Sequence, residues 1–141
     1  MRRSRRPPRK VFLSHAAQDR KFATRLSKLL KRHRVAVWYS RKNLHGAQQW
    51  HDEIGKALER CDWFLIVLSP DAVKSMWVRR ELVYALQNAR YKNRIIPVVL
   101  RKCNQATLSW VLSSFQHVDF TGKFLKAGRN LLKIWGIELK S

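Results

Sequence analysis

The chain has 141 residues and a mass of 16.7 kDa, which suffices for one hydrophobic core and leaves little room for a second domain. Thirty Lys and Arg residues against nine Asp and Glu give a formal charge of +21, which attracts polyanions in a salt-dependent manner. Apolar residues make up 45% of the chain, a fraction that excludes a disordered basic peptide. We therefore predict a basic flexible leader over residues 1–9 and a single domain over residues 10–141.

The cysteine spacing and the length of the apolar segments indicate the cellular compartment. Cys61 and Cys103 stand far apart and outside any CxxC or CxxH pattern, so neither a disulfide framework nor a zinc site is predicted. The longest apolar run, Trp63–Leu68, is far shorter than the roughly 20 residues that span a bilayer. These features favour a cytoplasmic protein without a membrane span and without a bound metal.

Short apolar segments alternate with helical patterns along the chain. Most of these segments are continuously apolar and rich in β-branched residues, which is typical of strands buried on both faces of a parallel sheet. The five predicted strands cover residues 11–13, 35–39, 63–68, 95–100 and 118–120. Amphipathic helices are predicted in the gaps, with a weaker helical pattern over residues 108–112. The alternation indicates right-handed crossovers and an α/β fold with a doubly wound sheet, in which Pro97 places the fourth strand near an edge.

Ligands of open α/β sheets bind beyond the carboxyl ends of the strands, where the strand order reverses. If the order is the flavodoxin-like 2-1-3-4-5, this crevice lies between the first and third strands. Residues 14–16 and 69–71 would then line it, and residues 40–49 would overhang it.

Motifs for common nucleotide and hydrolase chemistry are absent. The five glycines satisfy neither GxGxxG nor GxxxxGK[ST], which disfavours a Rossmann oxidoreductase and a P-loop NTPase. No serine has the GxSxG context, so Ser14, Ser40 and Ser69 are interpreted as strand-end or capping hydroxyls. His45 and His51 have no clustered carboxylate or cysteine partner and are interpreted as surface residues.

Among the carboxylates, Asp19 is predicted to cap the start of the first helix, whereas Glu81 lies within the third predicted helix. Glu81 follows Trp77 by four residues on a predicted helix, so the two side chains share a face one turn apart. An aromatic plane beside an acid can stack a ring and meet a ribose hydroxyl or a developing cation. The alternative is a core-facing Trp77 and a solvated Glu81 paired with Arg79 or Arg80, which spacing alone favours because i,i+4 pairs are common.

Four segments together resemble a TIR domain over residues 10–137. The most specific piece is Ser75-x-Trp77-x-x-x-Glu81-Leu82, preceded by a strand that ends in Ser69-Pro70. The four segments are KVFLSHAAQD at 10–19, VAVWYSRKNLHG at 35–46, WFLIVLSP at 63–70 and SMWVRREL at 75–82.

The resemblance implies a flavodoxin-like three-layer sandwich with a five-stranded parallel sheet of order 2-1-3-4-5. It also implies cleavage of NAD+ at the nicotinamide-ribose bond, with Glu81 as the catalytic residue and NAD+ as substrate instead of cofactor. One carboxylate can suffice, because it stabilises an oxocarbenium-like ribose and nicotinamide leaves neutral. The substrate-binding residues implied are Trp77, Ser14, His15, Trp38, Ser40, Arg41, Asn43 and Leu44.

Some positions depart from the TIR pattern. The loop after the second strand reads Ser40 and His45-Gly46 where family members often carry an acidic residue and Pro-Gly. This loop commonly mediates TIR–TIR assembly. Ala16 and Ala17 stand where some members have basic residues, which leaves Arg41 or Lys42 as candidates for the phosphate contacts.

Three functions remain open from the sequence. The first is an NAD+ glycohydrolase or cyclase activated by self-association, acting in immune or antiviral defence signalling with a sensor or effector in trans. The second is a non-enzymatic TIR scaffold, and the third is a nucleic-acid-binding module. The third is not favoured, because basic residues are expected to fill the outer helix faces instead of forming one patch with stacked aromatics, and the aromatic residues are expected at core or cleft positions.

Overall fold

A computed structural model describes the backbone of residues 7–39 and 46–140, and the side chains of these residues except 46–51. The strands are β1 Lys10–Ser14, β2 Ala36–Trp38, β3 Trp63–Leu68, β4 Ile95–Val99 and β5 Val118–Asp119. The helices are α1 Arg20–Arg32, α2 Gly46–Arg60, α3 Pro70–Val73, α4 Met76–Gln87 and α5 Phe124–Ile134. Short 3₁₀ turns cover Ala17–Asp19, Ala89–Tyr91, Gln105–Thr107 and Trp110–Ser114.

The five strands form one parallel sheet of order β2-β1-β3-β4-β5, which confirms the predicted flavodoxin-like architecture. All six residues of β3 are buried, because this central strand has a neighbour on each side and helices on both faces. Pairing between β4 and β5 begins at Val98, one residue after Pro97, and β5 is the edge strand. The proline therefore has no residue opposite it in β5, as its missing N–H predicts.

Two hydrophobic cores lie on opposite faces of the sheet. One packs α1 and α5 against the sheet and contains Val11 and Leu13 of β1. The other packs α2, α3 and α4 and contains Phe12 of the same strand. Because side chains alternate along a strand, Ser14 points to the same face as Phe12. The strand pattern thus directs the last residue of β1 toward α4.

Local structure differs from the sequence-based expectation at two places. Residues 108–112 do not form an α-helix: Leu108 and Ser109 connect two 3₁₀ turns, and residues 110–112 begin the second, which Ser109 caps. Leu108 and Leu112 are nevertheless buried. Asp19 occupies the N-cap position of α1, but its side chain makes no capping hydrogen bond. That carboxylate has other partners, described below. Within the described ranges, no helix combines the length and the apolar character that a bilayer crossing needs.

Candidate active site

A hydrogen bond joins the carboxyl end of β1 to α4. The Ser14 hydroxyl donates to Oε1 of Glu81 at 2.6 Å, and both residues are buried. Helix α4 begins at the N-cap Ser75, whose hydroxyl accepts from the Val78 backbone amide at 3.2 Å. This cap fixes the start of the helix, and Glu81 follows six residues later, somewhat more than one and a half helical turns along. The motif serine and the motif glutamate therefore have distinct roles, one structural and one in the site.

Glu81 is an acid removed from water. Its residue surface is 6% exposed. Burial raises the pKa of Glu81 from 4.5 to about 8, because an ionised carboxylate is poorly solvated there, and the hydrogen bond from Ser14 works in the opposite direction. A carboxyl group whose pKa is moved this far by its surroundings is typical of functional sites.

Trp77 precedes Glu81 by one helical turn and is 40% exposed. The guanidinium carbon of Arg80 lies 5.5 Å from the centre of a Trp77 ring, which is within cation–π range. The exposures are the reverse of those expected for a core-facing tryptophan and a solvated glutamate. The alternative interpretation of this pair is therefore wrong, and an accessible aromatic surface stands beside a buried acid.

Two more predicted site residues lie close to Ser14. His15 follows it directly, and the His15 ring packs edge-on against Tyr39 with centroids 5.5 Å apart. Among the described residues, Nδ1 of His15 is buried without a hydrogen-bond partner, and burial lowers the pKa of the ring. Trp38 ends β2 and stacks on Phe12 at 4.9 Å, on the sheet face that also carries Ser14. The remaining predicted residues, Ser40, Arg41, Asn43 and Leu44, lie outside the described residues.

A second polar network connects the loops at this edge of the sheet. The Ser69 hydroxyl donates to Oδ2 of Asp19 at 2.5 Å and also accepts from the Ala72 backbone amide at the start of α3. Arg101 donates to Oδ1 of Asp19 at 2.9 Å, and its side chain is 59% exposed whereas that of Asp19 is fully buried. Asp71 lies 4.0 Å from the same guanidinium nitrogen. The network ties the ends of β1, β3 and β4 together.

Sequence reasoning did not single out Arg101. Its position directly after the predicted fourth strand over residues 95–100, at the same edge as residues 14–16 and 69–71, was the available signal. No group of three metal-ligating side chains converges in the part of the chain that the structure describes. The acid that the geometry singles out is Glu81, which is bonded to Ser14 and lies one helical turn from Trp77.

Comparisons with known proteins show the family to which the chain belongs. A family model described as TIR domain matches residues 11–132. The chain is 30% identical over 95 residues to the NAD(+) hydrolase PdTIR of Paracoccus denitrificans, covering 65% of this chain and 31% of that protein. It is 31% identical over 77 residues to the 2' cyclic ADP-D-ribose synthase AbTIR of Acinetobacter baumannii, covering 54% of this chain and 29% of that protein. The chain thus spans about a third of the length of these curated relatives.

Solved structures show the same fold. The TIR domain of the Toll-related receptor TRR-2 from Hydra magnipapillata superposes with a TM-score of 0.70 at 22% identity, covering 87% of this chain and 94% of that one. The TIR domains of the activated Roq1 resistosome, which recognises the effector XopQ, give a TM-score of 0.67 at 18% identity, covering 88% and 97%. Since the family model covers most of the chain and the sheet order agrees, this protein is a member of the TIR domain family.

Proposed function

We propose that this protein is an NAD+ nucleosidase that cleaves the nicotinamide-ribose bond with Glu81 as the catalytic residue. The observation that carries the proposal is the buried Glu81 carboxyl group, held by Ser14 one helical turn from the exposed Trp77. The names of two relatives, an NAD(+) hydrolase and a cyclic ADP-ribose synthase, support the same reaction class.

The reaction needs one well-placed negative charge. The bond between ribose and nicotinamide breaks with its electron pair moving to the nicotinamide nitrogen, so the cationic ring leaves neutral. Positive charge develops on the ribose, and a carboxylate in a dry site stabilises it strongly because no water screens the interaction. Attack by water then gives ADP-ribose and a proton, whereas attack by a hydroxyl of the same molecule gives a cyclic product and a proton.

The positive charge of the nicotinamide ring favours ionisation of Glu81, which is protonated in the free site. Glu81, with a pKa of about 8, is largely protonated at neutral pH before substrate arrives. The positive nicotinamide ring favours the ionised carboxylate when it binds beside Glu81, because opposite charges attract strongly where water is excluded. Binding and activation of the acid are therefore coupled in this proposal.

The neighbouring residues have complementary roles in substrate binding. Trp77 offers an accessible aromatic face on which a planar ring can stack. His15 is included as a substrate contact because its segment resembles the first-strand motif of TIR domains, and its ring packs on Tyr39. Trp38 would close the site on the β2 side. Ser40, Arg41, Asn43 and Leu44 complete the set as sequence-based proposals.

The proposal also includes activation by self-association, a cytoplasmic location and a role in immune or antiviral defence with a partner in trans. The likeness to TIR domains of an activated resistosome supports assembly as the switch. Three exposed apolar side chains on α4, Met76, Val83 and Leu86, provide a surface on which copies could pack. The same surface favours a second candidate function, a scaffold that assembles without turnover.

Nicotinamide release from NAD+ tests the proposal. Substituting Glu81→Gln or Glu81→Ala should lower the turnover number by about 100-fold or more, since the charge at the reacting centre is lost. Glu138→Gln, at an exposed position near the carboxyl terminus, is the matched control and should retain full turnover. Unchanged turnover in both Glu81 variants would overturn the catalytic assignment. No turnover in wild-type protein that has been assembled by crowding would favour the scaffold.

A further inference from the structure

A second concave surface lies at the opposite edge of the sheet from Ser14 and Glu81. Arg9 directly precedes β1, Asp62 precedes β3 and Arg94 precedes β4, so these residues mark the amino ends of three parallel strands. Between them is an open groove of about 1100 Å³. We call it the amino-edge groove; its cationic lining residues are Arg9, Arg60, Arg90, Lys92 and Arg94.

The positive charge of the amino-edge groove is not balanced locally. Among the described residues, its lining contains two carboxylates, Glu59 and Asp62, against five cations. Asp62 accepts hydrogen bonds from the backbone amides of Arg9 and Lys10, both at 3.1 Å, so its carboxylate is already engaged. All five cationic residues are exposed, and within the described ranges none of them has a carboxylate within 4.0 Å.

Two of the five cationic side chains have favourable interactions within the protein. Arg60 lies in the last turn of α2, where a cation complements the helix dipole, and Arg90 donates to the Cys61 carbonyl at 3.4 Å. Arg9, Lys92 and Arg94 make no side-chain hydrogen bond or ion pair within the described part of the chain. Converging like charges repel one another, and an anionic ligand removes this cost. Besides the cations on the outer helix faces, the described part of the chain therefore carries a cluster of cations at the amino edge of the sheet.

We propose that the amino-edge groove binds the phosphodiester backbone of a nucleic-acid duplex without sequence preference. Four of the five cations are arginines, whose planar forks match phosphate oxygens better than a lysine ammonium does. Among the described lining residues the one aromatic, Trp63, is 4% exposed and cannot stack on bases, which disfavours single strands. The same set of described residues offers no exposed large apolar side chain for membrane insertion.

The sequence before the groove extends the same chemistry. Pro7 and Arg9 line the amino-edge groove, and four further arginines stand in the six residues that precede Pro7. The proposal does not depend on Glu81, because the groove and the candidate active site lie at opposite edges of the sheet.

Fluorescence anisotropy with a labelled 20-base-pair DNA duplex tests the proposal, in the full chain and at several salt concentrations. The triple variant R9E/K92E/R94E should weaken binding at least tenfold at 100 mM salt and should reduce the slope of log affinity against log salt by about 2 to 3. The matched control K21E/K28E/R32E changes the net charge equally on the exposed face of α1, and should lose less than threefold with an unchanged slope. R9Q/K92Q/R94Q replaces the first variant if charge reversal prevents folding, as judged by circular dichroism.

The outcomes separate the alternatives. Equal losses in the groove and control variants would overturn the proposal, since only the overall field would then matter. An unchanged affinity of the groove variant for the duplex would also overturn the proposal, because the arginines of residues 1–6 would then account for binding. Tighter binding to a single strand, to polyglutamate or to anionic vesicles would overturn the assignment of a duplex.

Discussion

Ser14 and Glu81 are 67 residues apart in the sequence and 2.6 Å apart in the fold, joined by a hydrogen bond in which the serine hydroxyl donates. The contact connects the first strand to the fourth helix at the point where the sheet order reverses. Among the described residues, Ser14 is the one hydrogen-bond partner of the buried Glu81 carboxyl group, so the ionisation of Glu81 should respond strongly to changes at Ser14.

The pH dependence of NAD+ cleavage should therefore respond to Ser14. The hydrogen bond from Ser14 favours the ionised carboxylate, so Ser14→Ala should raise the pKa of Glu81 above about 8. We expect the rising limb of kcat/KM against pH to move to higher pH, with about a tenfold loss at pH 7 for each pKa unit. A loss that is equal at every pH would instead indicate a purely structural role.

Ser27→Ala is the matched control for the Ser14 substitution. Ser27 is also buried, on α1, and its hydroxyl has no hydrogen-bond partner among the described residues. Removing it deletes a buried serine oxygen without touching Glu81. The pH at the midpoint of the rising limb should stay where it is in the wild type.

Burial of Glu81 should make the folded protein less stable as pH rises. The pKa of Glu81 is about 8 in the folded state against 4.5 as a model value, so the folded state binds more protons between these pH values. The contribution of this residue to stability is full below about pH 4.5 and is lost progressively up to about pH 8. Glu81→Gln keeps the shape and removes the titration, so its stability relative to wild type should increase across this window.

Urea unfolding at pH 5, 7 and 9 measures this difference. The free energy of unfolding of Glu81→Gln minus that of wild type should become more positive from pH 5 to pH 9. Glu138→Gln removes one negative charge at an exposed position and serves as the comparison. A difference for Glu81→Gln that does not vary with pH would contradict a raised pKa.

Trp77 should contribute to substrate binding more than to the chemical step. Stacking of a planar ring on an indole is worth about 1–3 kcal/mol, so Trp77→Ala should raise KM about tenfold or more and leave kcat less affected. Trp77→Phe should retain much of the affinity. Trp110, which is 79% exposed in a turn after β4, provides the control, because Trp110→Ala removes an exposed indole elsewhere. Similar KM values for the two alanine variants would contradict the role of Trp77.

The buried carboxylate of Asp19 should contribute more to the free energy of unfolding than the partly exposed carboxylate of Asp71. Asp19→Asn removes the charge that Arg101 and Ser69 contact while keeping the size of the side chain. We expect a loss of about 1–3 kcal/mol in the free energy of unfolding, since charge-assisted bonds of a buried group are weakened. Asp71→Asn, whose carboxylate is 40% exposed and 4.0 Å from Arg101, should cost less than about 0.5 kcal/mol. Equal losses would show that the buried network adds nothing to stability.

The secondary structure was largely predictable, and the orientation of side chains was not. Residues 63–68 were predicted as a strand and form β3 over the same range, because a continuously apolar β-branched run has few other stable environments. The spacing of Trp77 and Glu81 correctly placed them one turn apart. It could not show that the acid is buried and the indole exposed, because α4 carries apolar residues on more than one face. The pattern therefore does not decide which face of this helix turns to the core.

The Asp19 side chain shows the same limit in a polar context. Its position before a helix predicted a capping role, which is a local interaction, and the N-cap position was correct. The carboxylate instead bonds Ser69 and Arg101, which are 50 and 82 residues away in the chain. Such partners depend on which strands are neighbours, and local spacing carries no information about them.

By itself, the sequence determined the alternation of strands and helices, the parallel sheet and the resemblance on which the family assignment was first based. Those features depend on hydrophobic periodicity and short motifs, which are properties of neighbouring residues. Only the tertiary structure decided that Ser14 meets Glu81 and that five cations converge at the amino edge of the sheet. Both arrangements require strand order, register and burial together, because they bring distant residues into one solvent environment that sets their charge and reactivity.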